Sequence, residues 1–80
     1  MHELHLVNDI FKDVLANAQK NSLTTVSKVV LRIGEFTEIN PGIIRETFQR
    51  LSPGTIVEKA ELEIQKSPVR ELRLVSIEGE

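Results

Sequence analysis

Eighty residues with a formal net charge of −2, 40% hydrophobic content and three phenylalanines as the only aromatic residues describe a small, nearly neutral chain. A chain of this size buries roughly 60–65% of its unfolded surface, enough for one domain with one thin two-layer core. No cysteine is present, which excludes disulfides, thiolate metal sites and thiol nucleophiles, and acids and bases are interspersed without the basic stripe that nucleic-acid binding needs.

The N-terminus lacks a basic region followed by an apolar run, so it does not read as a signal peptide. No apolar stretch approaches membrane-spanning length. The expectation is one domain over residues 1–80, soluble and cytoplasmic, with neither nucleic acid nor membrane as partner.

In chain order the first feature is Met1-His2-Glu3. The amine of Met1 and the amide nitrogen of His2 can close one chelate ring on a metal ion. The same amide and Nδ1 of His2 can close a second. Square-planar nitrogen sites of this kind suit Ni(II) and Cu(II). The competing reading is a frayed terminus whose histidine binds nothing.

Leu4, Val7, Phe11, Val14, Leu15 and Ala18 then recur at helical spacing, with Asn8, Lys12, Gln19 and Lys20 largely on the other side. This predicts an amphipathic helix from about Glu3 to Lys20, ended by Asn21-Ser22. Val26 to Gly34 is rich in β-branched residues and predicts a strand, with Val29, Leu31 and Ile33 on one face and Lys28, Val30 and Arg32 on the other. Asn40-Pro41 is a helix-start pair. Ile44, Thr47, Phe48 and Leu51 form one face of the short helix that follows, and Ser52-Pro53-Gly54 stops it.

Glu61 to Lys66 alternates as a strand with Leu62 and Ile64 inward. Leu72 to Ile77 is a further strand in which Val75 and Ile77 compete with Leu72 and Leu74 for the inward face, and pattern alone does not choose. Ser67-Pro68-Val69-Arg70 between them is compatible with a hairpin. The fold class expected is α+β: two helices packed on one face of a three-stranded mixed β-sheet, order α-β-α-β-β.

Remaining polar residues offer little chemistry. Asp9 and Asp13 stand four apart but read as a solvated face near Lys12 and Lys20, and Glu35, Glu38 and Glu46 read as surface acids. Gly34 and Gly54 read as turn glycines. No histidine–carboxylate set accompanies a serine or threonine, so no enzyme is expected.

Met1-His2-Glu3-Leu4, Val30-Leu31-Arg32-Ile33-Gly34-Glu35, Phe48, Gly54-Thr55-Ile56 with Glu58, Ala60-Glu61-Leu62-Glu63-Ile64, Arg70-Glu71-Leu72-Arg73-Leu74 and Ser76-Ile77-Glu78 occur in that order. Together the segments resemble the HypA/HybF family of nickel-incorporation metallochaperones that serve [NiFe]-hydrogenase maturation. The resemblance implies Ni(II) as the bound metal, with His2 as the essential ligand, the Met1 amine and nearby backbone amides contributing, and Glu3 beside them. His5 departs from the family pattern; it can supply an additional imidazole, or stand as a solvated surface histidine.

The resemblance also implies a zinc module with two Cys-x-x-Cys pairs between the last two strands. Here that module is absent, the junction falls near residues 65–70, and no zinc is expected. The implied partners are the family's maturation GTPase and the hydrogenase large subunit. The alternative function is an interaction or regulatory module of the same machinery that delivers no metal. If the last two strands are not neighbours, the short joint favours a dimer by strand exchange.

Overall fold

A computed structural model of the chain describes residues 4–36 and 39–80. The elements run in the order expected: α1 (Leu4–Lys20), β1 (Val26–Gly34), α2 (Pro41–Leu51), β2 (Glu61–Lys66) and β3 (Glu71–Gly79). The expected start of the first helix at Glu3 lies outside the described residues.

Helix α1 buries Val7, Ile10, Phe11, Val14 and Ala18 against the sheet and α2. It ends in a Schellman arrangement. The Ser22 N–H donates to Gln19 O at 3.0 Å and the Leu23 N–H to Ala18 O at 2.9 Å, while Ser22 takes the left-handed conformation at φ 58°. Leu23 then packs against the core, so the chain leaves the helix already aimed at the start of β1.

Helix α2 begins as its sequence requires. The Asn40 side chain accepts from the Ile43 N–H at 2.9 Å, and Pro41 occupies the first turn. Ile44, Thr47 and Phe48 are buried. Phe48 meets Phe11 edge-to-face, with centroids 5.1 Å apart and rings at 75°. The two helices are thus joined by an aromatic contact at the centre of the core.

The three strands form one mixed sheet in the order β2-β1-β3. Strand β1 pairs parallel with β2 and antiparallel with β3. Central β1 is therefore the most buried strand, with Val29, Leu31 and Ile33 on the helix side and Val30 sealed at 7% exposure on the other.

Here the structure corrects the hairpin expectation. Strands β2 and β3 lie on opposite edges of β1, and Ser67–Arg70 crosses the end of β1 to join them. Ser67 N–H donates to Ile33 O at 2.8 Å as the crossing begins. Nor is Gly34 a turn glycine. It is buried at the end of β1 with the connector above it, where an added Cβ would overlap the Val69 carbonyl oxygen and come within 2.5 Å of the Ser67 carbonyl oxygen. Gly54, at φ 82°, does take a turn conformation.

The conflict within β3 is resolved by a bulge. Leu74 pairs with Leu31 but Ser76 pairs with Val30, so Val75 is the extra residue. The bulge resets the alternation and lets Leu72, Leu74 and Ile77 share the helix side opposite Ile33, Leu31 and Val29. Val75 is left 38% exposed. A second irregularity at Ser27 shifts the pairing between Val26–Gly79 and Lys28–Glu78.

The face of the sheet away from the helices carries an ordered polar layer. Lys28 Nζ lies 3.1 Å from Glu63, Gln65 donates to Glu63 at 3.3 Å, and Arg32 Nη2 donates to Gln65 Oε1 at 2.9 Å. Lys28 holds the Glu63 carboxyl below the usual carboxylate range by hydrogen bond and charge, and Gln65 adds to it. Glu63 in turn raises the Lys28 ammonium above its ordinary value.

Candidate metal-binding terminus

The expected metal ligands Met1, His2 and Glu3 lie outside the described residues. What the described residues define is their support. Helix α1 starts at Leu4, and Val7, one turn in, is 1% exposed. The terminus is therefore tethered to a helix fixed in the core within its first two turns.

The first N–H groups of any helix lack intrahelical acceptors. A metal taking a backbone nitrogen at this end breaks no helical hydrogen bond. The helix dipole opposes a cation there, a charge that deprotonated amides or a carboxylate would offset.

His5 is solvent-exposed on the first turn of α1. Asp9, Asp13, Glu35 and Glu46 are exposed as expected, and Glu38 lies outside the described residues. Among the described residues no group of three His, Cys, Asp or Glu side chains could hold a metal ion. The described part of the chain thus offers no closed metal cage.

The connector Ser67–Arg70 crosses the end of β1. There Ser67 Oγ donates to the Glu71 carboxylate, and this bond is the leading cause holding the Glu71 carboxyl low. The Arg70 guanidinium stacks over the Phe36 ring at 4.6 Å. Sequence reasoning missed this clustering because residues 34–36 and 67–71 meet only through the crossing of the connector over the end of β1.

A two-layer α+β domain that sets a histidine-bearing terminus on a core-anchored helix is the class of protein so defined. Its membership is now specific. Residues 1–72 match the family model described as "Hydrogenase/urease nickel incorporation, metallochaperone, hypA", and the chain belongs to this HypA family.

Among curated relatives, the hydrogenase maturation factor HypA of Methanopyrus kandleri is 43% identical over 65 residues, which cover 81% of this chain and 46% of that protein. The HypA of Archaeoglobus fulgidus is 41% identical over 64 residues, covering 80% of this chain and 58% of its own. The chain spans about half the length of the curated relatives it matches. The solution structure of the Ni metallochaperone HypA from Helicobacter pylori superposes with a TM-score of 0.79 at 20% identity, over 99% of this chain and 97% of that one. At that identity the likeness speaks for the fold.

Proposed function

We propose that residues 1–80 act as a single nickel-binding domain that loads Ni(II) at its N-terminus and passes it on by ligand exchange. The observation that carries this reading is the family match that begins at residue 1. It includes Met1-His2-Glu3, which by its own chemistry forms a nitrogen chelate. Its ligands are the Met1 amine, the His2 amide and imidazole, and a further group from Glu3 or His5. Nickel is cargo, and the domain performs no covalent catalysis.

A terminal chelate suits delivery. It has an open side for an incoming ligand, whereas a closed cage must unfold to release its ion. Protons compete for the imidazole and the amine, so acidification favours release. The receiving partners in this reading are the maturation GTPase and the large subunit of a [NiFe]-hydrogenase, in the cytoplasm. No described helix is long and apolar enough to cross a membrane.

The lack of cysteine in these residues favours one second reading. Without thiolates for zinc, the domain would dock on a maturation partner and regulate it without carrying metal. Calorimetric Ni(II) titration of the untagged chain, with intact mass confirming Met1, separates the two. Saturable binding lost in His2→Ala and retained in His5→Ala supports delivery through the terminus. Loss in both makes His5 a ligand. Absence of binding by an intact, free terminus refutes the nickel reading and leaves the docking module.

A further inference from the structure

Strand β2 is an edge of the sheet, and one bond fixes the phase of its backbone. The Ser67 N–H donates to Ile33 O of β1 at 2.8 Å. The β1–β2 register runs unbroken from Lys28 opposite Glu61 to Ile33 opposite Lys66. In a parallel pair, each residue turns its N–H and C=O to one side, and its neighbours turn theirs to the other. Glu61, Glu63 and Gln65 therefore face β1, in phase with Ser67. Leu62, Ile64 and Lys66 turn their backbone groups outward, to the free edge.

This edge has what strand addition uses, a row of backbone groups beside an apolar pocket. Between α2 and β2 lies an open cavity of about 260 Å³, whose lining includes Val29, Phe48, Val57 and Leu62. A strand paired with β2 would turn every second side chain to the helix side, where it would meet this lining.

Arg45 of α2 stands in the way. It also lines the cavity, and its Nη1 donates to Leu62 O at 2.7 Å. That carbonyl is one of the outward acceptors, so the bond takes a group that an added strand needs, and the guanidinium occupies the strand's path. Glu58 and Glu61 line the same cavity and favour a cation there. A strand of six residues offers few outward positions. With Leu62 taken, Ile64 and Lys66 remain, and a lysine on an edge itself discourages pairing.

We propose that Arg45 is a guard that closes the β2 edge to strand addition, so that the sheet ends at β2. The opposite edge carries the bulge at Val75, which interrupts pairing by a different means.

The probe is a peptide of residues 60–67, acetyl-AELEIQKS-amide, titrated into the isotopically labelled chain. Arg45→Ala should show saturable shifts of the Leu62–Lys66 amides. The native chain should bind at least about tenfold more weakly, the worth of a hydrogen bond from a charged donor. The same peptide N-methylated at its two central residues lacks one donor on each edge and should bind neither chain. Arg50→Ala makes an equal charge change on an exposed α2 residue outside the cavity lining and should behave as the native chain does.

A second measurement needs no variant. Amide hydrogen exchange in the native chain should be slow at Glu63 and Gln65 and fast at Ile64. The reverse protection pattern, equal affinity of the native chain and Arg45→Ala, an equal gain in Arg50→Ala, absence of binding to Arg45→Ala, or undiminished binding of the methylated peptide would each overturn the proposal.

Discussion

Gly34→Ala is the sharpest probe of how this fold closes. The methyl group would overlap the Val69 carbonyl oxygen and lie within 2.5 Å of the Ser67 carbonyl oxygen. Both obstacles are backbone, so no side-chain rotation relieves them. Forcing extra volume into packed surroundings costs about 1–3 kcal/mol. Displacing the connector also strains the Ser67 N–H to Ile33 O bond of 2.8 Å, worth about 0.5–1.5 kcal/mol.

The sum is about 2–4 kcal/mol. An 80-residue domain has about 4–12 kcal/mol in total, so the variant should lose a large part of its stability and about 10–25 °C in Tm. Urea unfolding followed by circular dichroism is the assay, and the midpoint should fall with the m-value unchanged. Gly54→Ala is the control. Nothing lies within 4 Å of its added Cβ, and its φ of 82° leaves only left-handed strain, about 1 kcal/mol. If Gly34→Ala costs no more than Gly54→Ala, the connector does not cross β1 as described.

Three further outcomes follow from the same geometry. Asn40→Ala removes the cap on α2 and should cost about 1 kcal/mol in the same unfolding assay, with Asn40→Asp largely retaining it. A double-mutant cycle of Phe11→Leu and Phe48→Leu should yield a coupling of about 0.5–1.5 kcal/mol for the edge-to-face pair, beyond the separate losses.

The Glu63 and Glu71 carboxyls are held below their ordinary value of 4.5 in the folded chain. Their stabilisation is therefore fully present above that value and lost as pH falls through the lower folded values. Lys28, raised above 10.5, contributes below that value and loses its contribution as pH rises through the folded one. Stability measured from pH 2 to 6 should fall on the acid side, and Glu63→Gln with Glu71→Gln should flatten that fall.

Local patterns made most of the elements legible. The apolar spacing of Val7, Phe11, Val14 and Ala18 described one buried helical stripe, and Asn40-Pro41 marked a helix start whose cap the structure contains. Val26–Gly34 and Glu61–Lys66 were readable because alternation and β-branching act within a strand. The ordered segments from Met1-His2-Glu3 to Ser76-Ile77-Glu78 carried the family. The proposed chelate at the terminus is likewise read from sequence alone, since an amine, an amide and an imidazole within two residues need no fold to meet.

Strand neighbours were not readable. A four-residue connector is compatible with a hairpin, yet here it spans a third strand, because β1 is the most apolar strand and gains most by being covered on both edges. Only that topology explains why residue 34 must lack a Cβ. Only the bulge at Val75 reconciles Leu72, Leu74 and Ile77 on one face, since a period-2 pattern cannot show where one residue is skipped. Sequence determines what each segment prefers over a few residues, but register and neighbours are set by long-range packing that no single segment encodes.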